Sequence, residues 1–412
     1  MLKKFIKDQY FCGLDIGSQT IKASIVKLQD TQKPQLIGVF EERTSGYQQA
    51  SIIDLGELSE AIHKVVVGLS KKASIKIKEL QMGISGELVD KRFVSAAIPL
   101  VDRGSKEITA RDIKKIQSQA RALGLKMDEV VLHNFPQYYK VDDVNTALNP
   151  VGLYGRKLEV YTMLMVINDA LLKNLTKAVN QAGFDVEHYY YSSFSSTDAI
   201  LSKDYKQKGC IVINLGSHIT DVLFFKDGHL RFYDKFSFGG AQVTDKIADV
   251  LNITFDLAED IKKSYAQAVS TDVRADEEIL IKKDQGYMPI KKEIILEAIN
   301  PVITNMVDTI TECISASGAT RETHYGIVMT GGGVMLPGLP ELIEGKTNLP
   351  VKVGKVTIAA NRLHNSAKFA AAVGLAVARF NQVHQSPLQM SSGSPLMTRI
   401  TLKVKELYQE YF

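Results

Sequence analysis

The stretch 212-VINLGSHITDVLFF-225 runs apolar, turns at Gly216-Ser217 and runs mostly apolar again. That pattern predicts a strand, a tight turn and a second strand. Such a turn aims backbone N–H groups at whatever lies above it, often a phosphate. Where many phosphate-binding hairpins carry an acid that serves a metal ion, this one has Asn214. A second stretch, 11-FCGLDIGSQTIKASIV-26, repeats the design. Setting 15-DIGSQTIK-22 against 214-NLGSHITD-221 pairs Asp15 with Asn214, Ile with Leu and Gly-Ser with Gly-Ser. Cys12 and Cys210 lie a few residues upstream of each. Two such hairpins about two hundred residues apart point to an internal duplication. Two unrelated hairpins that happen to look alike are the alternative.

The chain has 412 residues, too many for one core and natural for two lobes or more. Its 45% apolar and 23% charged content is that of a soluble globular protein. A net charge of +4 provides no field that would draw in nucleic acid. The three cysteines, Cys12, Cys210 and Cys313, are too scattered for a disulfide framework or a zinc site, which fits a reducing compartment. The opening MLKKFIKDQY has no apolar core of a signal peptide. No stretch approaches the roughly 20 apolar residues of a spanning helix. A cytoplasmic protein is expected.

Strands and helices alternate along the chain. A strand is predicted from Gln35 to Phe40, a helix over 54–73 and a buried strand over 79–86. A small α+β insert follows, roughly 85 to 160, with Thr109 and Asp112 opening its helix as a capping box. A helix over 168–182 stops at Gly183. After the second hairpin a helix is predicted over 241–252. The charged segment 256–292 reads as surface, and a long helix over about 291–317 should kink or divide at Pro301. The nearly all-apolar 366–380 reads as a buried helix.

The third signal is 326-GIVMTGGGVMLPGLPELIEGK-346, a strand, a glycine turn and a helix starting near Pro337. Glycines allow close approach to a ligand, and a helix N-terminus adds favourable partial charge. The turn matches neither the dinucleotide nor the P-loop signature. Two phosphate-type hairpins followed by this turn form a far more specific set than any one of them.

That set resembles the actin/Hsp70/sugar-kinase ATPase superfamily, in which two lobes of similar fold clamp a nucleotide. Within it the chain is similar to the bacterial cell-division FtsA family over essentially its whole length. The resemblance rests on 14-LDIGSQTIK-22, 135-FPQYYKVDD-143, 149-NPVGLYGRKLEV-160, 258-AEDIKK-263 and 328-VMTGGGVMLPGL-339. It implies an α/β, actin-like two-lobed fold built from duplicated RNase H-like domains, with an α+β insert and a C-terminal amphipathic helix. The first lobe would take 1–84, 163–197 and 366–380, and the insert 85–162. The second lobe would take 198–235 and 306–365, with a subdomain at 236–305. A linker at 381–395 would lead to a membrane-targeting helix at 396–412.

The resemblance also implies a nucleotide site for ATP and Mg²⁺. Asp15 would serve the metal through water; a turn-forming Asp is the plain alternative. Gly17, Ser18, Gln19 and Thr20 would meet phosphate. Family members often carry Lys where Thr20 stands, and Lys22, on the same strand face, is the candidate replacement. Glu259 and Lys262, one helical turn apart, would lie near the nucleoside; a solvated helix face is the alternative. Gly240 joins them, and Gly331, Gly332 and Gly333 would pack against adenosine. The second hairpin departs from the family's Asp-Ile-Gly-Gly-Gly-Thr. Asn214, Gly216, Ser217 and His218 would still line the phosphates, with His218 a turn residue rather than a catalyst. Asp221 is the candidate to orient a water. Binding is expected to survive and hydrolysis to be slow or absent.

The tail 381-NQVHQSPLQMSSGSPLM-397 reads as a flexible linker. In 396-LMTRITLKVKELYQEYF-412 an apolar side forms from Leu396, Met397, Ile400, Val404, Leu407, Tyr408, Tyr411 and Phe412, opposite basic and polar residues. That suits a helix lying in a membrane interface; a core-docked helix is the alternative. The family reading is an ATP-dependent actin-like filament on the cytoplasmic face of the membrane at the division site. It would anchor the FtsZ C-terminal tail and recruit further division proteins through the insert. A pilus-assembly adaptor of the PilM kind and a small-molecule kinase are the alternatives.

Overall fold

The computed structural model describes residues 9–28, 34–101, 103–269, 278–283, 286–358, 363 and 365–384. The first lobe opens with β1 (Gln9–Ile16), β2 (Thr20–Leu28) and β3 (Pro34–Arg43). A short ladder of β4 (Tyr47–Gln48) and β5 (Ser51–Ile52) precedes α1 (Leu55–Ala73) and β6 (Glu79–Ile84). The insert supplies β7 (Asp90–Pro99), β8 (Lys106–Glu107), α2 (Ala110–Gly124), β9 (Glu129–Val141), β10 (Asn145–Ala147), β11 (Tyr154–Gly155) and β12 (Lys157–Asn168). The chain returns through α3 (Asp169–Gln181), β13 (Asp185–Tyr191), α4 (Ser192–Ile200) and α5 (Lys203–Lys208). The second lobe follows with β14 (Cys210–Leu215), β15 (Thr220–Lys226), β16 (His229–Phe236), α6 (Gly240–Leu251) and α7 (Phe255–Tyr265). It continues through β17 (Glu278–Lys283), β18 (Gly286–Lys291), α8 (Lys292–Ala316), β19 (Ile327–Thr330), α9 (Leu339–Thr347) and β20 (Val351–Val353). Helix α10 (Ala370–His384) closes the described chain.

The duplication is visible in the sheets. One runs β13-β6-β1-β2-β3 and the other, read in the same sense, β20-β19-β14-β15-β16. Each is an antiparallel three-strand meander extended by two parallel strands. The two hairpins are the first turn of each meander. Strand 210-CIVINL-215 is buried on both faces except at Asn214, because Cys210 and Val212 pack toward the first lobe while Ile211, Ile213 and Leu215 pack under α6 and α8. Helix α10 docks on the first sheet at backbone distance. A Cβ on Gly13 would lie 2.1 Å from the Ala372 carbonyl, and the buried Ser24 hydroxyl donates to that same oxygen at 2.9 Å.

In the insert, α2 covers one face of the sheet β10-β9-β12-β7 around Ile98, Ile116, Tyr139 and Leu158. The capping box forms: the Asp112 N–H donates to the Thr109 hydroxyl, and the Thr109 N–H donates back to the Asp112 carboxylate. Glycine 183 takes the left-handed conformation, at φ 91°.

Two expectations are corrected. Segment 256–292 is not simply surface, since Ala258, Ile261, Ile279, Ile281 and Ile290 are buried. The short alternating strand Glu278–Lys283 hides two isoleucines among charges. The long helix expected over about 291–317 forms as α8, which runs through Pro301 for 25 residues without dividing. Its buried stripe of Ile295, Ile299, Ile303, Val307, Ile310 and Ile314 continues on both sides and offsets the lost hydrogen bond. That stripe shares one core with Ile211 and Met329. Helix α10 continues to His384, past the expected linker start at 381, since 381-NQVH-384 holds no helix breaker. The rest of that linker and the 396–412 helix lie outside the described residues.

Candidate functional site

Both hairpin tips are closed alike. The Gly17 N–H donates to the Thr20 carbonyl at 3.2 Å, and the Gly216 N–H to the Ile219 carbonyl at 2.9 Å. Between those closures the N–H groups of Ser18, Gln19, Ser217 and His218 make no hydrogen bond among the described residues. Each tip is pinned from behind. Thr44 donates its hydroxyl to the Gly17 carbonyl at 2.6 Å and its N–H to the Gln19 carbonyl at 3.0 Å. The first N–H groups of α6, Gly240 and Ala241, donate to the Gly216 and Ser217 carbonyls at 3.0 and 2.8 Å. The tips are thus rigid and leave four N–H donors unused, which is what an anion needs.

The tips border a cavity of about 630 Å³. Every residue named from the sequence for the nucleotide, and Asp221, lines it. Ordinary small-molecule sites occupy about 300–1,000 Å³.

On the first-lobe side, cross-strand register sets Asp15 beside Lys22 and Lys22 beside Glu41. Burial lowers the Lys22 ammonium pKa, with Asp15 and Glu41 opposing and Lys368 adding to the fall. The Ser192 hydroxyl donates to Asp15 Oδ1 at 2.9 Å. Glu41 forms an ion pair with Lys368. Lys368 sits beside Ala367, whose carbonyl accepts from the Gly331 N–H at 3.3 Å and the Thr330 hydroxyl at 3.0 Å. One short segment therefore ties the glycine turn to the first lobe.

On the second-lobe side, Asn214 and Asp221 occupy the paired positions that Asp15 and Lys22 hold in the first hairpin. The Asn214 amide donates to the Ser193 hydroxyl at 2.6 Å. Asp221 is 1% exposed and accepts hydroxyls from Tyr191, Ser193 and, at 3.4 Å, Tyr233. Burial pushes its carboxyl up to about 6 against the pull of those hydroxyls. Tyr191 and Ser193 belong to the first lobe and Tyr233 to the second, so Asp221 is a buried bridge between lobes. That geometry fits anchoring better than the water-orienting role expected of it, because both oxygens are already engaged.

Glu259 and Lys262 form a tight pair at 2.6 Å. The Lys262 ammonium also donates to the Gly240 carbonyl at 2.9 Å and the Thr244 hydroxyl at 2.8 Å. Burial lowers the Lys262 pKa despite Glu259. At Glu259 burial pulls the other way, and Lys262 and Thr244 outweigh it to bring the carboxyl down. The solvated-face alternative fails for this pair.

The three glycines differ. Gly331 has φ +95°, and a Cβ there would meet the Leu215 carbonyl at 2.3 Å. A Cβ on Gly333 would lie 1.6 Å from Leu215 Cδ2. Only Gly332 faces open space. Two of the three glycines thus answer the protein's own packing. A 3-10 turn, Gly333–Met335, leads from the glycines to α9, which starts at Leu339, near Pro337 as expected.

Sequence reasoning missed Glu41, Lys368, Tyr191, Ser192, Ser193 and Tyr233. The run 189-YYYSSFSS-196, polar yet feeding a helix, was the one visible signal.

Two family models match the chain. "Cell division protein FtsA" matches residues 211–374, and "SHS2 domain inserted in FTSA" matches 94–166. Together they span more than half of it. The cell division protein FtsA of Borreliella burgdorferi is 26% identical over 409 residues, covering 97% of this chain and 98% of the relative. That of Enterococcus hirae is 29% identical and covers 84% and 78%. That of Escherichia coli is 24% identical and covers 83% of each. Among solved structures, a PilM-PilN type IV pilus biogenesis complex matches with a TM-score of 0.66 at 16% identity, over 89% of this chain and 98% of that one. MreB5 of Spiroplasma citri bound to ADP matches with a TM-score of 0.53 at 12% identity, over 93% and 99%. The architecture is the actin-like two-lobed fold with an α+β insert.

Proposed function

The chain belongs to the FtsA family of cell-division proteins, and on that premise we propose that it is an ATP-binding, filament-forming membrane anchor for FtsZ. The observation that carries the nucleotide part is the convergence of all the sequence-named residues on one cavity, between two tips with four unused N–H donors. Phosphates would take those donors from both lobes at once. A bound nucleotide would therefore fix the lobes relative to each other, and a fixed lobe angle is what a polymerising subunit needs. Lys22 and Lys262 supply positive charge on opposite walls. Glu259 would meet the nucleoside, with Gly332 against its flat face. One neighbour's description names bound ADP, which supports the same reading.

The donor set fits Mg²⁺. That ion typically takes one or two protein carboxylates and completes its shell with phosphate oxygens and water. Asp15, oriented by Ser192, would hold it through water, and the ion would supply charge neutralisation at the phosphates. Asn214 offers no second carboxylate, so any hydrolysis is slow and ATP acts as an assembly ligand.

The tail would bring the filament to the cytoplasmic face of the membrane. Among the described residues no helix is long and apolar enough to cross it. One interfacial helix binds weakly, and a filament multiplies it by avidity. FtsZ tails would dock on the second lobe, and other division proteins on the insert.

The test is pelleting of the full chain with liposomes, with and without ATP and an FtsZ C-terminal peptide, beside a variant lacking 396–412. Pelleting that needs the tail, rises with ATP and carries the peptide down supports the reading. Equal pelleting with and without the tail would sink the anchor. The PilM-like fold match supports a second reading, an adaptor that does not use its tail for membranes, and the same experiment separates the two.

A further inference from the structure

Hairpin two differs from hairpin one at its tip: His218 stands where the first carries Gln19. Its Nδ1 atom is buried and has no hydrogen-bond partner. A buried polar atom left unpaired costs roughly 1–3 kcal/mol, so a native site that keeps one usually has a use for it. The atom belongs to a residue that lines the cavity, beside two of the unused N–H donors. Those donors and the ring would address the same ligand.

Two nearby charges act on the ring. Asp245 on α6 favours its protonation, and Lys262 on α7 disfavours it. Asp221, at the base of the same hairpin, is engaged with hydroxyls. The other charged residues lining the cavity are Asp15, Lys22, Glu41, Glu87, Glu259, Lys263 and Lys368. Burial is the largest effect on the ring and holds its pKa below the ordinary value. A phosphate anion entering the tips would reverse that balance. It is a new negative neighbour at the tip that the histidine shares with two unused N–H donors.

We propose that His218 reads the nucleotide's polyphosphate as an imidazolium, taking up a proton as the phosphates enter, so that nucleotide affinity rises as pH falls. This rests on the nucleotide reading of the cleft. The balance is simple: one proton moves from solvent to the ring, no covalent bond changes in the ligand, and the added positive charge meets the added negative charge. The second hairpin would thereby recover, with a side chain, part of the anion affinity that the family's Gly-Gly-Thr tip obtains from open backbone.

The test is calorimetric titration of the full chain with ADP and with ATP, each with Mg²⁺, in two buffers of different protonation enthalpy. The comparison is wild type against His218→Gln, which installs the residue the first hairpin carries at the same place. The nucleotide's own protons cancel in the difference. Expected is an excess uptake of a few tenths of a proton per nucleotide by wild type near pH 7. Wild-type affinity should fall by up to about tenfold per pH unit through the bound-state pKa. The variant should bind roughly 2- to 10-fold more weakly with a flatter pH profile. A purely structural histidine would not move the proton count. Equal uptake in both proteins, with binding intact, overturns the proposal alone. No binding by wild type in any buffer overturns the nucleotide reading and this proposal with it.

Discussion

Asp221→Asn should make the protein more stable at pH 8, although it removes a carboxylate that accepts three hydroxyls. Asp221 is 1% exposed, and burial raises its pKa from 3.8 to about 6. A pKa raised in the folded state means the native protein holds the proton more tightly than the unfolded chain does. The associated stability is fully present below pH 3.8 and is lost as pH rises through about 6. A shift of about two units corresponds to roughly 3 kcal/mol. Asparagine is nearly isosteric, carries no charge, and can both accept from Tyr191 and donate to Ser193. Allowing for imperfect reorientation of the hydroxyls, about 1–3 kcal/mol should be gained at pH 8 and little or nothing at pH 4. Urea unfolding of both proteins at several pH values between 4 and 8 reads this directly. The difference between them removes the contribution of every other titrating group. The wild-type midpoint should fall relative to the variant's across pH 4–6. A variant less stable than wild type at pH 8, with no change in relative midpoint across that range, refutes the claim that the buried charge is a net cost.

Gly333→Ala should be severe and Gly332→Ala mild. The first puts a methyl 1.6 Å from Leu215 Cδ2, the second into open space at an ordinary φ of −71°. A loss of about 1–3 kcal/mol or more in the first and under about 1 kcal/mol in the second is expected from thermal melts; comparable losses would overturn the assignment of Gly333 to packing. Lys262→Met should leave Glu259 short of its main counter-charge, at a cost of roughly 1–3 kcal/mol. With Lys262 gone, burial drives the Glu259 carboxyl up, so the loss should be larger at pH 8 than at pH 4.5. A pH-independent loss in melting temperature would count against that account.

The hairpins, the capping box and the glycine turn were legible because each is a local rule written in consecutive residues. Asp15 and Lys22 could be read as neighbours because a two-stranded turn fixes their register. Glu41 and Lys368 could not, since 327 residues separate the partners of that ion pair. The same is true of Tyr191 and Tyr233, which read as ordinary strand aromatics until the two sheets bring their hydroxyls to Asp221. The 256–292 segment was misread because charge dominates its composition while four isoleucines, Ile261 on α7 and Ile279, Ile281 and Ile290 on β17 and β18, carry its burial. The long helix around Pro301 was legible as well, because its buried stripe continues at helical spacing on both sides of the proline.

The duplicated hairpins also show how the two halves diverged. Their backbone turns, register and tip donors are equivalent, yet the charges at the paired base positions are not. The first half sets an acid beside a lysine, so a carboxylate can face the cavity with its counter-charge next to it. The second half sets an amide beside an acid, and that acid is withdrawn into hydroxyls shared between the lobes. A carboxylate at Asn214 would stand directly across from Asp221, and two buried like charges at cross-strand distance repel. An amide at Asn214 is therefore the neighbour compatible with a buried Asp221 that bridges the lobes.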